Sequence, residues 1–175
     1  MTRDRKSIRR IILLLVLACS LRLATSGYEI FAAGTDVALT VNPETGLERR
    51  FALADLSGLP RRSIPATDES GKESLFEGVL VAEVLKSAGV KFGKELSGKA
   101  LAAYLLVEAA DGYRVVFALP ELDPAFTDAI VLLADHRDGN ALGERDGRLR
   151  LIVPHEKRHA RWVRQVVKFA IQRVQ

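Results

Sequence analysis

The feature that most constrains this fold is a succession of short apolar runs separated by turn-forming residues. From about residue 37 onward, clusters of Gly, Pro, Asn and Asp interrupt nearly every run. Runs this short suit strands better than helices, and tight turns between strands are typical of antiparallel sheets. Strands do not alternate with long helices, which counts against a doubly wound parallel sheet. The sequence therefore predicts an α+β fold in which β-structure dominates.

One segment has helical periodicity. Apolar residues recur at helical spacing from Val79 to Ala88, and Gly89 follows where a left-handed cap is expected. This predicts one clear helix. Shorter helical turns are predicted at residues 54–56 and 120–123, because Gly58 and Pro60 close the first and Pro120 opens the second.

The strongest hairpin signal lies in the middle of the chain. Two apolar runs, Leu101–Val107 and Tyr113–Leu119, flank a turn that contains Asp111-Gly112. We expect these two strands at the centre of the sheet. The final apolar segment, Val163–Val174, favours a strand, with a helix as the alternative. Further strands are predicted at Val37–Val41, Glu48–Leu53, Arg61–Ala66, Lys72–Phe76, Ile130–Ala134 and Leu149–Val153.

Residues 1–26 have the layout of a secretory signal peptide. A basic start precedes an apolar run from Ile11 to Ala18, and small residues follow. Arg22 interrupts the apolar stretch too early for a permanent membrane span. We expect cleavage between about residues 26 and 34, a single folded domain at 36–175, and a periplasmic or secreted location. Acylation of Cys19, as in a lipoprotein, is the alternative.

The net charge of +4 conceals a strong asymmetry. Residues 1–26 carry six Lys/Arg and one Asp, so the remainder is close to neutral. Within that remainder, residues 27–144 have a net charge of −8 and residues 145–175 one of +7. The basic stretch either pairs with the acidic body or binds an anion such as phosphate or sulfate. Nucleic-acid binding is disfavoured, because export, a near-neutral domain and few aromatics all count against it.

The familiar catalytic patterns do not hold up. Residues His155-Glu156-Lys157-Arg158-His159 match the zinc-protease pattern H-E-x-x-H, but the segment is strongly basic and no Asp, Glu, His or Cys follows as a third ligand. No Gly-x-Ser-x-Gly elbow or phosphate-binding glycine loop is present. The sequence thus predicts no catalytic residue and no metal ligand.

Several blocks in order resemble the small members of the oxidoreductase molybdopterin-binding domain family, the sulfite-oxidase-like proteins. Together they cover about residues 51–174, nearly the whole predicted domain. The blocks are Phe76-Glu77-Gly78-Val79 with Leu85 and Ala88-Gly89-Val90, then Ala109–Leu122, then Arg150–Pro154 with Lys157-Arg158 and Arg161–Arg164.

This resemblance implies a β-rich α+β fold that, in the larger enzymes, encloses a molybdopterin cofactor. Those enzymes hold molybdenum partly through a cysteine thiolate, whereas the single cysteine of this chain is Cys19 in the leader. Molybdopterin therefore stays a candidate cofactor by resemblance, and molybdenum is disfavoured. The leading hypothesis is a noncatalytic binding or accessory module of a periplasmic redox system. The alternatives are a molybdenum-cofactor-dependent oxidoreductase with a noncysteine ligand set and a purely structural domain.

A ligand pocket is predicted where the Asp111-Gly112-Tyr113 turn, the Pro120-Glu121 bend and the basic segment 157–162 converge. Two arginines could clamp an anionic group, and the tryptophan could stack on a flat ring. The expected partners are a small anionic ligand or a periplasmic or membrane redox protein. The candidate binding residues are Asp111, Tyr113, Glu121, Lys157, Arg158, Arg161 and Trp162.

Overall fold

The computed structural model describes residues 36–174, which form two five-stranded sheets and two short helices. The α+β class with dominant β-structure is thus as predicted. Sheet A contains β1 (Val37–Asn42), β2 (Arg49–Ala52), β5 (Ala103–Ala109), β6 (Arg114–Ala118) and β10 (Val166–Arg173). Sheet B contains β3 (Arg61–Thr67), β4 (Glu73–Leu80), β7 (Leu132–Arg137), β8 (Asn140–Ala141) and β9 (Arg150–Ile152).

Sheet A has the strand order β2-β1-β10-β5-β6. The final segment is therefore a strand, and it occupies the centre of the sheet, where it pairs parallel with β1 and antiparallel with β5. The expectation of a central β5–β6 hairpin is wrong, because β6 forms an edge. Alternate exposed and buried residues along β6 show that one face of this strand packs on the core. The turn itself is as predicted, and Gly112 adopts a positive φ of 85°.

Sheet B has the strand order β3-β4-β7-β8. The first half of β7 pairs with β9 and its second half with β8, so both strands lie on the same side of β7. The edge strand β3 contains Pro65, which suits a strand whose outer side has no partner.

The helices are short. Helix α1 (Leu53–Ser57) follows β2 directly, and the Asp55 carboxylate accepts a hydrogen bond from the Ala52 N–H at 2.8 Å. Helix α2 (Val81–Ser87) confirms the predicted helix, although Val79 and Leu80 belong to the preceding strand β4. Gly89 has a φ of 91°, as its cap position requires.

One hydrophobic core joins the two sheets. Fully buried Phe169 and Phe117 come from sheet A, and Phe76 comes from sheet B. Trp162, which lies outside the strands, meets Phe76 edge-on with ring centroids 6.0 Å apart. The segment that connects β9 to β10 is thereby anchored to the core, and this connection forms the candidate site.

The predicted signal peptide, its cleavage range and Cys19 lie outside the described residues. Within residues 36–174, the structure has no helix that is long and apolar enough to cross a membrane.

Candidate functional site

The segment between β9 and β10 separates two clefts. The arginine cleft, of about 260 Å³, is lined by Glu69, Asp111, Tyr113, Arg150, His159, Ala160, Trp162, Val163 and Arg164. The glutamate cleft, of about 360 Å³, is lined by Phe117, Pro120, Glu121, Phe126, Thr127, Ala129, Val131, Val153, His155, Glu156 and Arg161. The residues predicted to converge are therefore divided between two neighbouring spaces.

Two of the predicted basic residues, Lys157 and Arg158, line neither cleft. Lys157 and Arg158 are exposed, and within residues 36–174 neither side chain forms an ion pair. Each is free to contact solvent or a partner, but neither points into the space bordered by the other predicted residues. Their role as ligand-binding residues stays a prediction.

Arg161 is held tightly within the glutamate cleft. Its guanidinium donates to Glu156 Oε1 at 2.6 Å, to Glu121 Oε2 at 3.0 Å and to the Val116 carbonyl at 3.1 Å. It also lies 4.2 Å from the centre of the Phe117 ring. Burial opposes its charge, but the two glutamates prevail and raise the pKa of Arg161. With two carboxylates already bound, this arginine has little capacity left for an external anion.

Trp162 is a core residue that borders the arginine cleft. Its side chain is 5% exposed, and its indole N–H donates to the Val153 carbonyl at 2.9 Å. The His159 ring meets it edge-on at 4.3 Å. Both faces and edges of the indole are thus largely covered by protein, which leaves little surface for stacking on a ligand.

The Asp111 turn closes over the same segment. The Asp111 carboxylate accepts a hydrogen bond from the Tyr113 N–H at 2.9 Å, which fixes the turn. The Tyr113 hydroxyl donates to the Ala160 carbonyl at 2.7 Å. This contact joins the β5–β6 hairpin to the connection between β9 and β10, so the predicted convergence of these two segments is present in the structure.

Arg150, which the sequence reasoning missed, lies at the base of the arginine cleft. Its side chain is only 3% exposed, and its guanidinium donates to Asp146 Oδ1 at 2.9 Å. The guanidinium carbon lies 5.7 Å from the Trp162 ring centre and 5.9 Å from that of Phe76. Its Nε atom is buried and has no hydrogen-bond partner in the described part of the chain. A buried donor without a partner costs free energy that a bound acceptor would recover.

Arg164 brings a second guanidinium to this cleft. It bonds Glu69 and shares the Asp146 carboxylate with Arg150, at 3.2 Å. Burial lowers the pKa of Arg150; Asp146 opposes this, and the positive charges of Arg164 and Arg137 lower it further. The arginines thus repel one another across a shared carboxylate.

A signal for Arg150 was present in the sequence. It stands inside the apolar run Leu149–Val153, where a side chain is expected to be buried. A charged residue is rarely buried without a binding partner, so its presence in this run is a signal. Arg164 and Glu69 carry no comparable signal. They are 95 positions apart in the chain, in segments next to strands of different sheets, and only the tertiary fold brings them together.

The residues present do not fit a molybdenum site of the thiolate type. Residues 36–174 contain no cysteine, and within them no three His, Cys, Asp or Glu side chains are grouped so as to hold a metal ion. We therefore assign no chemical step to a molybdenum centre in this protein.

Comparison with known proteins supports the fold. The chain matches no family model and no curated protein sequence. Among solved structures, it is similar to the sulfane dehydrogenase SoxCD from Paracoccus pantotrophus, with a TM-score of 0.61 and 24% identity. The match covers 78% of this chain and 38% of that chain, so this chain spans well under half of its length. Likeness at this identity shows the fold alone. The predicted sulfite-oxidase-type fold is thereby confirmed.

Proposed function

We propose that this chain is an exported, noncatalytic binding module that holds a small anion in the arginine cleft. The observation that carries this proposal is Arg150, whose buried Nε lacks a partner at the base of an open cleft. An anion there would reduce the repulsion between Arg150 and Arg164, and it would bond to Nε once the side chains that cover this atom move aside. Phosphate and sulfate oxygens suit guanidinium donors well.

The wider role is that of an accessory to a periplasmic or membrane redox system. Two features support this part of the proposal: the leader-like start of the chain and the fold shared with a sulfane dehydrogenase. The absence of a thiolate in the predicted domain supports a binding role over molybdenum chemistry.

Thermal unfolding in sodium sulfate, sodium phosphate and sodium chloride at equal ionic strength tests the anion site. Sulfate or phosphate should raise the Tm in a saturable way, since a ligand at ten times its Kd adds about 1.4 kcal/mol to the free energy of unfolding. The effect should be lost in Arg164→Gln and weakened in Arg150→Lys. Arg158→Gln is the control, because it removes the same type of side chain from a position that lines neither cleft.

Two outcomes would overturn the proposal. An equal Tm increase in chloride, or in Arg164→Gln, would show that no specific site exists. Stoichiometric molybdenum and pterin in protein purified from a host that makes the cofactor would establish an enzyme with an unusual ligand set instead.

A further inference from the structure

A third cleft lies beside the unpaired edge of β3, away from the arginine cleft. It has a volume of about 420 Å³ and is here termed the edge cleft. Its walls are mainly apolar. They are formed by Arg62, Ser63, Ile64, Leu80, Ala82, Leu122, Pro124, Thr127, Asp128, Ala129, Ile130 and Val131.

The outer side of β3 presents backbone groups to this cleft. The Leu75 carbonyl accepts from Asp138 N–H at 2.8 Å, so it points toward β7 and away from Pro65, its neighbour on β3. In an antiparallel pair the backbone groups of alternate residues point to the same side. Those of Ser63 and Pro65 therefore point outward. Within residues 36–174, no hydrogen bond to the outward groups of Ser63 is found.

At the C-terminal end of β3, a backbone carbonyl on the outer edge already accepts a hydrogen bond. The His159 ring donates to the Thr67 carbonyl at 2.9 Å, which closes the edge beyond Pro65. The open part of β3 thus extends from Arg61 to Pro65. This length suits a short added strand rather than a second full sheet.

The wall opposite β3 is a braced loop. The buried Asp123 carboxylate accepts from the N–H groups of Gly93 at 2.6 Å and Ala125 at 2.9 Å. The Ile130 N–H donates to His155 Nε2, which fixes the other end of the loop. The cleft is therefore bounded by two restrained walls and is formed before any ligand arrives.

We propose that the edge cleft binds an extended peptide that adds as a strand to β3. The peptide backbone would pair with Ser63, and alternate side chains would enter the cleft opposite Arg62 and Ile64. Arg62 is exposed and has no ion pair in the described part of the chain, so it favours an acidic side chain directly opposite it on the added strand, whereas Asp128 in the loop wall disfavours an acidic side chain on that side of the cleft. Ile64 and its apolar neighbours favour a branched aliphatic side chain. The ligand is thus a segment in which acidic and aliphatic residues are two positions apart.

Binding can be measured with a fluorescent nonapeptide of alternating Thr, Glu, Thr and Val. The test variant is Ser63→Pro, which removes one outward N–H and follows the precedent of Pro65 in the same strand. We expect about tenfold weaker binding, which corresponds to about 1.4 kcal/mol. The matched control is Ser63→Ala, which keeps the N–H and should bind like the wild type. Equal Tm values for the two variants would show that the fold is preserved.

A charge exchange tests the second contact. Arg62→Glu should weaken the Glu-containing peptide about tenfold and bind a Lys-containing version better than the wild type does. No anisotropy change with the wild type, equal binding by Ser63→Pro, or no change of charge preference would each overturn the proposal. Because sulfate binding in the arginine cleft is measured separately, failure here leaves the anion site unaffected.

Discussion

Gly78 is required because another backbone occupies the space of a side chain. A Cβ atom at this position would lie 2.1 Å from the Leu133 carbonyl oxygen and 2.6 Å from Ala134 Cα. The register between β4 and β7 also shifts here, between Glu77 and Gly78. The close approach of β7 thus explains why the sequence block that begins at Phe76 has a glycine at position 78.

We expect Gly78→Ala to lower the free energy of unfolding by about 3 kcal/mol, because β4 and β7 must separate. Urea denaturation would measure this change. Gly58→Ala is the control: Gly58 has a φ of −76°, and its nearest added contact would be 3.4 Å away. A loss of equal size in both variants would contradict the steric explanation.

Asp135 ties the edge strand β3 to β7. Its two oxygens accept from Arg61 at 2.9 and 2.6 Å, and His136 Nδ1 lies 2.7 Å from Oδ1. Burial opposes the charged carboxylate, but the bonds from Arg61 and His136 prevail and lower the pKa of Asp135. A group whose pKa is lower in the folded state stabilises the fold above its unfolded pKa of about 3.9.

Asp135→Asn should therefore destabilise the protein by about 2 kcal/mol at pH 7. The difference from the wild type should shrink as the pH falls from about 5 toward the lowered pKa, since the wild-type carboxylate is then protonated as well. Denaturation curves at several pH values would show this. Arg61→Gln and the double variant complete a cycle; strict additivity of the two changes would contradict direct coupling.

At the scale of elements, the sequence predicted most strands but misplaced their neighbours. Short apolar runs and turn residues locate strands because these signals are local. Strand order depends on residues that are far apart in the sequence. The last strand, β10, pairs with the first, β1. The ambiguity of Val163–Val174 has the same origin, since its apolar residues do not alternate strictly and their spacing fits either a central strand or a core helix.

Local sequence signals were equally limited in predicting the candidate site. The Asp111 turn and the segment 157–162 were expected to meet, and Tyr113 does contact Ala160. How the side chains divide between two clefts depends on which guanidinium each carboxylate binds. Arg161 binds Glu121 and Glu156, so it is withdrawn from the anion-binding role that its neighbours suggested.

The central position of β10 predicts that sheet A depends on it. A chain ending after Gln165 should lose the junction between the β1–β2 and β5–β6 pairs and show no cooperative thermal transition. Circular dichroism would measure this. A chain ending at Arg173 is the control, because Val174 is 67% exposed and should contribute little. Cooperative unfolding of the shorter chain would show that the two pairs are stable without β10.

At the scale of the molecule, ion pairs join segments that are distant in the sequence. Arg148 binds Asp36, Lys168 lies near Glu108, and Arg173 binds Glu44. The basic C-terminal stretch therefore pairs with the acidic body at these points, in line with the interpretation that charge segregation favours. Such partly exposed pairs contribute little each, so the shared core must supply most of the stability.

Because one core joins both sheets, we expect a single unfolding transition. Trp162 is the only tryptophan and is buried against Phe76, so its fluorescence reports on the core. Fluorescence and far-ultraviolet circular dichroism should give the same midpoint in urea. Two separate midpoints would show that the sheets unfold independently.

The parallel pairing of β1 with β10 also has a consequence for the order of synthesis. The first strand of the domain must wait for the last before sheet A can be completed, so while the chain is still emerging from the ribosome sheet A consists only of the separate β1–β2 and β5–β6 pairs. A polypeptide whose sheet A is incomplete can still pass through a narrow channel. For a chain whose start has the pattern of an export signal, late completion of the fold would keep it competent for passage through a narrow channel until translation is nearly finished.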